Sequence, residues 1–241
     1  MSGHSKWATT KRKKAVIDSK RGKIFTKLIK EITISARQGG GDSAGNPRLR
    51  LAIDNAKAAN MPADNIERAV KKATGELEGQ IYSELTYEGY APAGIAIIVD
   101  VATDNKNRTV AEVRHIFSKL GGGMGESGSV AWMFDKKGVI TLPNQGKEED
   151  EIMEIILDAG ADDMQTEEDF FEVQTSLENF ENVRKTLLDK NLTVENASLQ
   201  WVPKNTIPIK GEDAEKLIKL IETLEDNDDV QSVFSNADFQ D

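Results

Sequence analysis

Ten lysines and arginines stand in the first thirty residues, Lys6, Lys11, Arg12, Lys13, Lys14, Lys20, Arg21, Lys23, Lys27 and Lys30, against one acid, Asp18. Ammonium and guanidinium groups at this density bind polyanions, neutralising phosphates and releasing the counterions condensed on them. The segment is poor in aromatic groups, holding Trp7 and Phe25. Phosphate contact is therefore favoured over base stacking, and binding should depend steeply on salt and weakly on sequence. Trp7 is suited to stacking or wedging, and equally to anchoring the segment on the protein.

The formal net charge of the whole chain is -10, so this basic start is carried by an acidic protein. Residues 1–75 hold 17 Lys and Arg and 6 Asp and Glu, whereas residues 76–241 hold 14 and 35. A boundary near Gly75 separates a basic module from an acidic body, an asymmetry that points to nucleic-acid contact by one part. The alternative is that the two parts neutralise each other by docking.

Other chemistry finds little support. Gly123-Met-Gly125-Glu-Ser-Gly128 fits G-x-G-x-x-G by letter. A dinucleotide site needs those glycines after a strand and before a helix, and here the expected order is reversed. No glycine loop ends in the lysine and hydroxyl of a P-loop. Gly121, Gly122, Gly123, Met124 and Gly125 are left as a candidate contact loop or hinge. The sequence has no cysteine, which removes disulfides, thiol nucleophiles and thiolate metal sites. Its two histidines, His4 and His115, have no HExxH pairing, and His115 is expected to be a partly buried packing residue. Asp226-Asn-Asp-Asp229 lacks the glycine and spacing of a calcium loop and reads as a solvated turn. No catalytic residue, metal ligand, cofactor or small-molecule substrate is therefore expected, and the chain reads as non-enzymatic.

The elements that must position the cations follow from periodicity. Residues 1–22, with Trp7, Val16 and Ile17, hold too little apolar surface to offset their ordering entropy and read as a basic arm, mobile until it meets a partner. From Lys23, apolar residues Ile24, Phe25, Leu28, Ile29, Ile32 and Ala36 recur at helical spacing, with Lys23, Lys27, Lys30 and Arg37 on a separate stripe. Asn46-Pro47 caps a second helix, and Ile66 to Ala73 mark a third, so residues 23–76 form a three-helix domain.

Strands at 81–90 and 95–101, a helix over 105–120 and a strand at 129–134 begin an α/β domain. Residues 135–204 read strand-helix-strand-strand-helix-strand, the ferredoxin-like order. Phe170 and Phe171 there are expected to be core and interface residues, because the strand lacks the basic and glycine residues of an RNA-stacking surface. A further strand, helix and strand over 205–238 would complete the domain begun at 80–134, leaving 135–204 inserted in it. The fold class is thus α+β, multi-domain. With no apolar run near the roughly 18 residues of a membrane span and no secretory signal, the cytoplasm is the expected location.

Several motifs together are familiar: Ser2-Gly-His-Ser-Lys-Trp7, Lys20-Arg-Gly-Lys-Ile-Phe-Thr-Lys-Leu-Ile29, Asn46-Pro-Arg-Leu-Arg50, Asn60-Met-Pro62 with Ile66-Glu-Arg68, Tyr87-Glu-Gly-Tyr-Ala-Pro-Ala-Gly94, Asp104-Asn-Lys-Asn-Arg-Thr109 and Leu120-Gly-Gly-Gly-Met-Gly125. The sequence resembles the YebC/PmpR family of probable transcriptional regulators nearly end to end. At the start the family often has Ala at position 2 and Asn-Ile before the basic run, where this chain has Ser2 and Thr9-Thr10. The resemblance implies an N-terminal helical domain followed by two α/β domains. It also implies one of two functions: regulation of transcription on DNA, or, as for the family's mitochondrial relative and members linked to stalled ribosomes, a translation factor on rRNA that relieves stalling, for example at proline runs.

Overall fold

The computed structural model describes residues 18–240 apart from 145 and 147, with side chains from Gly22 onward. Much of the basic arm, including Lys6, Trp7, Lys11, Arg12, Lys13 and Lys14, lies outside the described residues.

Three helices come first: α1 (Asp18–Gly39), α2 (Pro47–Ala58) and α3 (Ala63–Thr74). Their shared core is Ile32, Ala36, Leu49, Ala52, Ala56, Met61, Ile66 and Ala69. Asn46 caps α2 through its side-chain oxygen, which accepts from Leu49 N at 3.1 Å, and Pro47 opens the first turn where no N–H is needed. The helix α1 starts at Asp18, five residues before the expected Lys23. Nor is it one-sided: between Lys30 and Ala36 every residue except the half-buried Glu31 is buried. A helix enclosed in this way has no solvent stripe along that stretch.

The α/β part begins with β1 (Ser83–Tyr90) and β2 (Ala96–Thr103), an antiparallel hairpin in register from Ser83 opposite Thr103 to Tyr90 opposite Ala96. Then come α4 (Lys106–Lys119), capped by the Asn105 side chain, and a two-residue strand β3 (Gly123–Met124). After β4 (Phe134–Pro143) the chain forms α5 (Glu149–Asp158), β5 (Asp163–Thr166), β6 (Phe170–Thr175), α6 (Phe180–Asp189) and β7 (Asn196–Pro203). It ends with β8 (Ile207–Ile209), α7 (Gly211–Glu225), β9 (Val230–Ser235) and β10 (Ala237–Phe239).

Two compact units result. Residues 135–202 form one, and the remaining described residues, 18–134 and 203–240, form the other. In the first, the sheet order β5-β6-β4-β7 is that of a ferredoxin-like fold. Phe170 and Phe171 are both buried there. In the second, the order β3-β1-β2-β9 pairs strands from before and after the 135–202 segment, with β2 and β9 antiparallel. Alternate residues of β2, Ile97, Val99 and Val101, join Val113 and Phe117 of α4 and Leu217, Ile221 and Leu224 of α7 in one core.

The stretch 129–134 is not the strand that its residues suggest. Ala131–Met133 is a 3-10 turn, and β4 starts only at Phe134. The amides of Val130 and Ala131 donate to the Glu88 carboxylate, at 2.7 Å each, instead of to a neighbouring strand.

Candidate nucleic-acid interface

Of the cationic stripe of α1, Lys23, Lys27 and Lys30 reach back onto the protein, whereas Arg37 is exposed. Helix α7 ends at Glu225, leaving carbonyls without helical partners at the negative end of its dipole. Three lysines one helical turn apart reach this end and the turn after it. Lys23 Nζ donates to Asp226 O at 2.9 Å and to its carboxylate at 3.2 Å, and Lys27 Nζ donates to Glu225 O at 2.9 Å. Lys30 Nζ donates to Asp228 O at 2.8 Å, to Ala102 O at 3.0 Å and to Asp229 Oδ1 at 2.7 Å. Lys23 remains partly exposed, whereas Lys30 retains 5% of its surface. In this arrangement Lys30 cannot contact a phosphate.

Asp229 is the centre of the cluster. Its second oxygen accepts from Arg108 Nη2 at 2.6 Å, Thr109 Oγ1 at 2.7 Å and Thr103 Oγ1 at 3.1 Å. Burial by itself would raise this carboxyl's pKa. Hydrogen bonds from Lys30, Arg108 and Thr109, with the Lys30 charge, outweigh burial and hold it well below the usual carboxylate range. The turn at 226–229 is therefore not merely solvated, since its last residue is 5% exposed and ion-paired on both sides. One signal was available in the sequence. Carboxylates crowded at a helix C-terminus oppose the dipole, and such an arrangement calls for cations from elsewhere in the chain.

Arg48 and Arg50 are also engaged within the protein. The Arg48 guanidinium binds Glu31 at 2.8 Å, Gln38 at 2.8 Å and Glu84, tying α1 and α2 to the start of β1. Arg50 Nη1 donates to the carbonyls of Ser43 and Ala44, bracing the loop before α2. Cations of the helical domain that are exposed and without an ion pair among the described residues are Arg37, Lys57, Arg68 and Lys72. Lys20 and Arg21 fall in the first turn of α1.

The glycine loop is built into the sheet. Gly123 and Met124 pair with Tyr90 and Gly89 as the edge strand β3. Gly121 adopts φ +80°, the left-handed conformation that ends α4, and a Cβ on Gly122 would lie 2.6 Å from Tyr90 O. Beyond it, the Glu88 carboxylate fills the place an anion would take, accepting from the amides of Gly128 at 2.6 Å and of Val130 and Ala131. Burial works against this charge, and the three amide bonds outweigh it and lower the carboxyl's pKa. The amides that a dinucleotide phosphate would need are thus already used. His115, expected to be partly buried, is exposed on α4, because Val113 and Phe117 take the inward positions.

No helix among the described residues is long and apolar enough to cross a membrane. Among them, no group of three His, Asp or Glu could hold a metal ion.

Comparison with known proteins agrees with the helical and α/β composition of the fold. Residues 5–76 match the model of the TACO1/YebC protein N-terminal domain, and residues 82–237 match that of the TACO1/YebC second and third domain. A probable transcriptional regulatory protein of Pelodictyon phaeoclathratiforme is 58% identical over 239 residues, covering 99% of this chain and 96% of the relative. One of the same description from Chloroherpeton thalassium is 57% identical with the same coverage. The crystal structure of a conserved hypothetical protein from Aquifex aeolicus superposes with a TM-score of 0.88 at 46% identity, covering 94% of each chain. Family models for the N-terminal domain and for the second and third domains together cover most of the chain, relatives match it nearly end to end, and the chain belongs to the TACO1/YebC family.

Proposed function

We propose that the protein is a non-enzymatic regulator of gene expression that binds DNA through its basic N-terminal module. The observation that carries this is the charge partition, 17 Lys and Arg against 6 acids in residues 1–75 of an otherwise acidic chain. The clamp to the 225–229 turn refines which cations serve it. Lys23, Lys27 and Lys30 position α1, while Lys6, Lys11, Arg12, Lys13 and Lys14 of the arm, with exposed Arg37, Lys57, Arg68 and Lys72, meet phosphates. Relatives described as probable transcriptional regulators support DNA as the polymer.

Because α1 turns Lys23, Lys27 and Lys30 into the protein, it is not suited to reading base edges in a groove, and recognition rests on the backbone. Backbone recognition also suits rRNA, which keeps the translational reading as the second one. Fluorescence anisotropy of a labelled DNA duplex across a salt series tests the first. About six neutralised phosphates give a slope of log K against log salt of about -5. Replacing Lys11, Arg12, Lys13 and Lys14 with alanine should reduce that slope by about 4. A slope near zero for the parent chain would refute the reading.

A further inference from the structure

The body after Gly75 carries 35 carboxylates, yet one of its helices has the opposite sign. Within Lys106–Lys119, helix α4 has four Lys and Arg and a single acid, Glu112. The inward side is Thr109, Val113 and Phe117. The side facing away carries Arg108, Ala111, Arg114, His115, Ser118 and Lys119, all exposed. Small side chains at 111 and 118 beside the cations Arg114 and Lys119 leave a shallow surface that a phosphate backbone could approach closely. Glu112 lies at the margin, where Asn227 Nδ2 holds its carboxylate at 2.7 Å. Arg114 and Lys119 have no ion pair among the described residues, although carboxylates are plentiful in this part of the chain.

The helix is also joined to the basic module. Asp229 bridges Lys30 of α1 and Arg108 of α4, at 2.7 Å and 2.6 Å, so a single carboxylate separates the two helices there. Nearer the start of α1, Lys23 holds Asp226, the neighbour of the residue that holds Glu112. Segment 1–17, with its five cations, joins α1 five residues before Lys23.

We propose that the outward face of α4 is a second phosphate-contact surface, which binds the backbone of the same DNA duplex as the N-terminal module. It rests on the reading above and extends it from one end of the chain to the α/β domain. The face adds non-specific backbone affinity and fixes the duplex's direction across the protein, since two contact points set a direction where one cannot.

The test uses the full chain and three labelled or competing probes: a 25-base-pair DNA duplex, an RNA duplex of the same sequence, and polyglutamate. Arg114→Glu with Lys119→Glu is compared with Lys185→Glu with Lys190→Glu, an equal charge change on exposed residues of the 135–202 unit. The α4 pair should weaken DNA binding at least about tenfold and reduce the salt slope by about 2. Its thermal midpoint should fall by no more than about 2–4 °C, the cost of a carboxylate facing the dipole in the last turn of α4, because neither side chain has an ion pair among the described residues. The control pair should bind as the parent does. Equal weakening by both pairs would reduce the effect to net charge and overturn the inference. So would unchanged DNA binding by the α4 pair while the arm variant loses binding, a result that leaves the proposed function standing. A loss confined to RNA or to polyglutamate would overturn DNA as the occupant. A parent chain that binds no duplex at all would remove the proposed function and this inference together.

Discussion

Replacing Asp229 with alanine removes the centre of the clamp between α1, α4 and the 225–229 turn. Lys30 would keep the carbonyls of Ala102 and Asp228 but would stay buried without its counter-charge. Breaking a buried pair from one side costs about 3–5 kcal/mol. Arg108, being partly exposed, recovers most of its loss in water, so the Lys30 side dominates. For a unit of this size, such a loss lowers the thermal midpoint by about 6–20 °C. Lys30→Met is milder, about 1–3 kcal/mol, because Asp229 keeps Arg108 and two threonine hydroxyls. In the double variant the costs should fall short of their sum by about 0.5–3 kcal/mol. Urea denaturation of the four proteins gives this cycle. The pH dependence has a fixed sign: a carboxyl held low in the folded state contributes fully above its unfolded value of about 4 and loses that contribution as pH falls below it. The acid limb of the Asp229→Ala variant should therefore be shallower than the parent's. A midpoint drop under about 2 °C, or strictly additive costs, would refute the reasoning.

Two other sites give equally definite expectations. Glu88→Ala leaves three amides of the loop after β3 without their acceptor and should cost about 3 kcal/mol in urea. It should also speed hydrogen exchange at Gly128, Val130 and Ala131, and unchanged exchange there would show that the carboxylate does not hold the loop. As with Asp229, the lowered carboxyl contributes above about pH 4 and progressively less below it. Asn46→Ala removes the cap of α2 together with two bonds from Nδ2, to Ser35 O at 2.8 Å and Gly40 O at 2.9 Å. A cost of about 2 kcal/mol is expected, more than an ordinary cap, with Asn46→Asp intermediate because it keeps the acceptor and loses both donors. Equal stability of parent and Asn46→Ala would contradict this.

Elements with strong local signals were legible in the sequence. Asn46-Pro47 announced the start of α2, the apolar run of β2 announced a buried strand, and strand-helix-strand-strand-helix-strand announced the ferredoxin-like order. What stayed hidden depends on partners distant in the chain. Lys30 looks like a surface cation by its spacing, and only the approach of Asp229, 199 positions away, makes it a core residue. Glu88 sits in a strand that alternates like any other, and nothing local reveals that its carboxylate turns a following β-like stretch into a 3-10 turn. His115 was misplaced for a smaller reason: Val113 and Phe117, two positions either side and so about 200° around the helix, take the inward face and turn His115 outward.

For the candidate interface, composition located the basic module but not which of its cations are used up within the fold. Charge counted over residues 76–241 also averaged away the sign of α4. Net charge per segment says that a polyanion is expected, while ion-pair geometry decides which side chains remain to meet it.

Crosslinking the protein in living cells and sequencing the attached nucleic acid tests most directly whether this basic module meets DNA. The expected result is enrichment of promoter DNA that disappears when Lys11, Arg12, Lys13 and Lys14 are replaced with alanine. Enrichment of rRNA with none of promoter DNA would contradict it and transfer the same cations to a ribosomal partner.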